Sequence, residues 1–230
     1  MHDRWSLGCW RDDAYVSMFH LPTSPGCQKP NNPVAFYENA TAISLFQQGL
    51  EHILSHQNPH LGSVPWSKLG QAIFSVEPEN EPQNRLDPVN EEWLCVMAGK
   101  IRQLLGASPI LVTSGGSYVE IIDPFRTASC PYVDVLALHD YTTPELLGVR
   151  VDAYAIAAIR HNKRWIVQEF GSTASTEPEK ANKMQRWIKA AQAGDSTPWQ
   201  FWALGPKDTP SSLDITPGDL VWQQAVFPES

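Results

Sequence analysis

The sequence predicts an α/β fold built on parallel strands, of the (β/α) barrel type. Short apolar runs alternate with helix-period segments from Asn39 onward, the pattern of βα units and a parallel sheet. The polar residues with chemical potential stand at the C-terminal ends of those runs, where barrels keep their reactive groups. No glycine-rich phosphate turn follows the first run. Gly115-Gly116 is too short and follows a middle run, so a doubly wound nucleotide fold is a poor fit.

Each element has its own signal. Ile43, Phe46, Leu50, Ile53 and Leu54 recur at helical spacing and predict a helix over about 41–56. His52 and His56 are four apart on it. They lie off the apolar stripe with no metalloprotease-type Glu between them, so they read as a solvated face and no metal is expected. Residues 71–77 predict a strand that opens into Pro78-Glu79-Asn80-Glu81-Pro82. Asp87-Pro88 is a cap with Pro at the first helical position, before a helix running through Trp93, Leu94, Met97, Ile101, Leu104 and Leu105 to a Gly106 stop. Pro109–Thr113 is the next strand, opening into Ser114-Gly115-Gly116. Val133–Leu138 follows and ends in His139-Asp140-Tyr141; a helix is expected over about 149–161. The strand 164–169 opens into Phe170-Gly171, and the capping box Thr176–Glu179 starts a helix that stops at Gly194. The last strand is Trp199–Ala203. Residues 1–70 hold one good helix and an irregular Pro- and Cys-containing stretch. A single domain over 1–230 is expected, with 61–230 carrying the recognisable βα units.

Composition narrows the function. A chain of 230 residues, 42% hydrophobic and 18% charged, can bury a substantial core. A formal net charge of −8 with no Lys/Arg run argues against nucleic-acid and anionic-membrane partners. Nine tryptophans lean toward carbohydrate, since aromatic faces stack on the C–H faces of sugar rings; core packing is the ordinary use of most Trp. No run is long and apolar enough to span a membrane. Met1-His2-Asp3-Arg4-Trp5 has no signal-peptide pattern. Cys9, Cys27, Cys95 and Cys130 show no metal spacing and permit zero, one or two disulfides. Asn39-Ala40-Thr41 is a glycosylation acceptor if the chain is secreted.

Two glutamate motifs, Ser75-Val76-Glu77-Pro78-Glu79-Asn80-Glu81 and Val167-Gln168-Glu169-Phe170-Gly171, each deliver carboxylates to a strand end. Two carboxylates so placed are what a retaining glycosidase uses, one attacking the anomeric carbon and one protonating the leaving oxygen. Pleat alternation puts Glu77, Glu79 and Glu81 on one nominal face, so periodicity does not choose among them.

Asn80-Glu81-Pro82, His139-x-Tyr141, Glu169-Phe170-Gly171 and Trp202, in this order and each at a strand end, resemble glycoside hydrolase family 5, in the clan of (β/α)8 retaining hydrolases that includes cellulases and β-mannanases. The resemblance covers about 60–230, with a looser likeness at Trp5–Phe19 and Phe36-Tyr37. It implies that Glu81 is the acid/base at the end of the barrel's fourth strand and Glu169 the nucleophile at the end of its seventh. It also implies that Asn80 bonds the sugar 2-hydroxyl, that His139 and Tyr141 organise the site around the nucleophile, and that Trp202 is the sugar's stacking platform. Glu77 is then a structural acid inside the barrel. The TIM-barrel fold is expected to be incomplete, with strands 4 to 8 recognisable and the family's strand-2 arginine without a counterpart. The implied partner is a β-linked polysaccharide, mannan or glucan, with no cofactor and no obligate protein partner. The family implies extracellular action. A catalytically inactive barrel remnant that binds carbohydrate is the alternative.

Overall fold

The computed structural model describes residues 34–82, 90, 92–116, 123–193, 197–205 and 213–226. The chain comprises two compact units, Met1–Asp134 and Val135–Ser230.

In the first unit, α1 (Val34–Glu38) leads through Asn39 into α2 (Ala40–Ser55). Asn39 Oδ1 accepts from the N–H groups of Thr41 and Ala42, donors that have no partner within the helix. α2 buries Ala42, Phe46, Leu50 and Leu54. Ile53, expected on that stripe, is 45% exposed. Facing residues come from α3 (Trp93–Leu105), which buries Trp93, Leu94, Met97, Ala98, Ile101 and Leu105. The Trp93 ring lies 5.4 Å from Phe46 and 5.0 Å, edge-on, from Tyr37. α3 ends where expected, at Gly106 with φ +56, and Lys68 Nζ donates to the terminal Leu105 carbonyl at 2.9 Å. The expected cap Asp87-Pro88 lies outside the described residues.

A disulfide joins Cys95 of α3 to Cys130, just beyond α4 (Pro124–Ser129), 35 positions along the chain. Closing a loop of that length contributes about 3–4 kcal/mol by restricting the unfolded chain. Cys9 and Cys27 lie outside the described residues.

A short antiparallel hairpin, β1 (Gln57–Asn58) with β2 (Val64–Pro65), was not expected. Two residues per strand are too few to show alternation. β3 (Ser75–Val76) pairs in parallel with β4 (Leu111–Val112). The strand expected over 71–77 starts only at Ser75. Ala72 and Ile73 both donate to the Leu69 carbonyl, forming a turn that withholds their N–H groups from the sheet, and Phe74 is 67% exposed. Asp134 secures the other side of β4, accepting from Val112 N–H at 2.7 Å and pairing with Arg102 of α3.

In the second unit, β5 (Val135–Asp140) and β6 (Arg164–Phe170) are parallel, with α5 (Pro144–Arg160) between them in the chain. All six residues of β5 are buried, as in a strand covered on both faces. β5 extends past Leu138 and takes in His139 and Asp140. α5 starts well before the expected 149, because Thr143 Oγ1 accepts from Leu146 N–H at 3.2 Å and Pro144 takes the first helical position. α6 (Glu177–Ala191) begins at the expected cap, with Thr176 Oγ1 accepting from Glu179 N–H. Its described end is Ala191, ahead of the expected Gly194, which is outside the described residues. The segment from Trp199 to Trp202 runs parallel to β6. Trp199 bridges Val167, Gln200 N–H bonds Val167 O at 2.8 Å, and Trp202 N–H bonds Phe170 O at 2.7 Å.

Four of the five expected strands form, in order and parallel where paired; the fifth, Trp199–Ala203, is a single bridge to β6 continued by two hydrogen bonds. The described strands form three two-stranded sheets that close no circuit, which is the incomplete barrel type expected.

Candidate active site

In the first unit, the chain leaves β3 at Val76 and turns at once, so strand alternation ceases to apply before any of the three acids is distinguished. Glu77 is half-buried directly after the strand. Glu79 is engaged by a side chain: Tyr37 Oη donates to its Oε2 at 3.0 Å. Tyr37 is itself fully buried, and its carbonyl accepts from Asn90 Nδ2 at 2.7 Å. Glu81 differs from both. It is buried, its backbone has φ +48, and its N–H donates to Gly115 O at 2.8 Å. A left-handed backbone at a non-glycine residue costs about 1–3 kcal/mol and persists only where the surroundings impose it. Gly115 supplies the surroundings. It has φ +83, and a Cβ there would stand 2.0 Å from Glu79 O. Gly115 is therefore a seat for the carboxylate loop. Asn80, next to Glu81, is half-buried.

In the second unit, the pairing of β5 with β6 slips by one residue. Leu138 faces Val167 but His139 faces Glu169, leaving Gln168 as the extra residue. Such a bulge re-aims side chains where it occurs. Here it sets His139 beside Glu169. Tyr141 Oη donates to Glu169 Oε1 at 2.6 Å, and His139 Nδ1 lies 3.7 Å from Glu169 Oε2. His139 Nε2 meets Gln168 Oε1 at 3.2 Å. Both His139 and Glu169 are buried. A carboxylate with one oxygen held by a phenol at this distance is fixed in orientation.

Close behind Glu169, Gly171 leaves room for its neighbours: a Cβ there would lie 2.8 Å from Trp202 O and 3.4 Å from the Tyr141 ring. The indole of Trp202 is 41% exposed, while Trp199 packs 5.9 Å from Phe170. The two tryptophans thus divide the available roles, one facing solvent and one in the packing. His52 and His56 are exposed, and the His56 ring sits edge-on to Trp66.

The structure brings His139, Tyr141 and Glu169 into direct contact, and sets Asn80 and Glu81 in the loop after β3. Sequence reasoning missed Gly115 as the seat of that loop, Gln168 as the bulge and Tyr37 as the partner of Glu79. Gly115 and Gln168 lie within the 60–230 likeness and Tyr37 within the looser Phe36-Tyr37 one, but no local pattern marked what each does.

No family model matches the chain, and no curated protein matches it in sequence. Solved structures do match in fold. The endo-1,4-β-mannanase of Rhizomucor miehei is similar with a TM-score of 0.72 at 18% identity, covering 93% of this chain and 65% of that one. The endo-β-1,4-mannanase of Thermotoga petrophila gives 0.65 at 17% identity, covering 90% and 50%. The glycoside hydrolase family 5 mannosidase of Rhizomucor miehei, in complex with mannosyl-fructose, gives 0.64 at 15% identity, covering 82% and 58%. The fold of this chain is therefore of the incomplete TIM-barrel type, as the alternating strands and helices predicted. The chain spans between half and about two-thirds of the length of these three structures.

Proposed function

We propose that this chain acts as a retaining endo-β-glycanase of the family 5 mannanase type, on β-1,4-linked mannan or glucan. The observation that carries the reading is Glu169, buried at the end of β6 and held at 2.6 Å by Tyr141. In the first step the Glu169 carboxylate attacks the anomeric carbon while Glu81 protonates the departing glycosidic oxygen. In the second, Glu81 takes a proton from water, which attacks the same carbon and releases Glu169. This chemistry requires the two carboxyl groups about 5–5.5 Å apart. Asn80 bonds the 2-hydroxyl, His139 orients Glu169, and Trp202 stacks on the sugar. Extracellular action belongs to the same proposal, and recovery of the chain from culture medium tests it.

The assignment is tested by substrates of different leaving-group ability. Glu169→Ala should lose turnover on both mannan and a nitrophenyl glycoside, since no covalent intermediate forms. Glu81→Ala should lose mannan hydrolysis yet release a burst of nitrophenol, because that leaving group needs little protonation. Equal losses on both substrates would sink the division of roles.

A second reading is favoured by the open two-stranded sheets: the chain binds β-linked sugar without cleaving it. Mannan-oligosaccharide binding that is abolished by Trp202→Ala, together with no hydrolysis by the parent chain, would select it.

A further inference from the structure

A closed set of hydrogen bonds in the second unit has no part in the chemistry above. Asp140, fully buried, accepts at Oδ1 from Thr142 N–H at 2.8 Å and from Thr142 Oγ1 at 2.6 Å. Its Oδ2 accepts from Arg150 Nη1 at 2.6 Å, and the same nitrogen donates to Thr142 Oγ1 at 2.7 Å. A carboxylate that bonds the N–H two residues on closes a turn around the residue between. That residue is Tyr141. Arg150 comes from the second turn of α5, so the turn is stapled to a helix whose cap, Thr143, follows it directly.

A buried ion pair is a poor source of stability, since desolvation offsets most of the attraction and apolar residues of similar volume often do as well. What a fully satisfied polar network does supply is a defined geometry. Here a strict geometry is in use next door: the Tyr141 hydroxyl must reach Glu169 Oε1 at 2.6 Å, and a hydrogen bond weakens steeply with misalignment.

We propose that Asp140, Thr142 and Arg150 are positioning residues, which hold the Tyr141 backbone so that its hydroxyl meets Glu169. The inference rests on the glycosidase reading only for its consequence, that Glu169 is the group that reacts.

The test follows the Tyr141 hydroxyl itself. Tyrosine labelled with 13C at the hydroxyl-bearing ring carbon is introduced into the full chain, and Tyr141→Phe identifies one resonance among those of the six tyrosines. Glu169→Gln then gives the shift of Tyr141 facing an uncharged acceptor. Thr142→Ala should move the Tyr141 resonance toward that shift and leave the other tyrosines in place. Thr142→Ser, which restores the hydroxyl, should return it. If Thr142→Ala does not fold, Arg150→Met, which removes the nitrogen that donates to both Asp140 and Thr142, is read in the same way. An unmoved Tyr141 resonance, or no return in Thr142→Ser, overturns the proposal. Mannan hydrolysis by the same parent sample separates the two readings. A moved resonance without hydrolysis sinks the glycosidase reading alone, and hydrolysis with an unmoved resonance sinks this one alone.

Discussion

The two glutamates that the motifs single out are held by opposite means. Glu81 follows a strand of two residues and takes its place through backbone constraints: a left-handed φ, an N–H bond to Gly115 O, and a seat that a methyl group would fill. Glu169 is in a strand of seven residues and is placed by side chains and register: Tyr141 on one oxygen, His139 toward the other, and a bulge at Gln168 that aligns them. A short strand offers little ladder to define the chain beyond its end, so the loop itself must be built. A long strand already fixes its backbone, and only the side chain needs partners. The first arrangement is sensitive to a single Cβ, the second to a single hydroxyl.

Gly115→Ala is the largest expected break in this comparison. The added Cβ meets Glu79 O at 2.0 Å in a backbone with φ +83, and backbone cannot yield as a flexible side chain does. A loss of about 3–5 kcal/mol follows from the overlap plus the left-handed backbone. It would be read from urea midpoints at constant slope. A loss below about 1 kcal/mol would mean that the Glu79–Glu81 loop adapts freely and is not backbone-held.

Tyr141→Phe should cost less, roughly 1.5–3 kcal/mol, the worth of a hydrogen bond to a charged group. The penalty should shrink when Glu169 is Gln, because the bond then ends on a neutral acceptor. A double-mutant cycle on thermal or urea unfolding measures that coupling. Additive losses would show that the side-chain half of the comparison is wrong.

Smallest in stability is Trp202→Ala, expected within about 0.5 kcal/mol because the indole is 41% exposed. Its effect should appear in affinity for mannan oligosaccharides, a loss of about 1–3 kcal/mol by analogy with other aromatic stacking platforms. A large drop in melting temperature with unchanged affinity would place Trp202 in the core instead.

Much of this was legible from local pattern. The buried face of α2, the Gly106 stop, the Thr176 cap and the apolar run of β5 all sit close to their expected places, since burial periodicity and capping depend on residues a few positions apart. The same local rules gave too late a start for α5, where the Thr143-Pro144 signal was present but unread, and too early a start for β3, where a turn bonded to Leu69 O competes with the ladder.

Read unaided, the amino-acid order settles the longer helices and the parallel strands, their succession, and that His139, Tyr141 and Glu169 stand at strand ends. Those are consequences of short-range chemistry. It does not settle which of Glu77, Glu79 and Glu81 stands apart, because a period-two rule treats them alike. That choice is made by residues far along the chain, Tyr37 binding Glu79 and Gly115 seating Glu81. Nor does any local pattern announce the extra residue at Gln168 that brings His139 level with Glu169. Register belongs to the pair of strands, and it exists only once both have folded together.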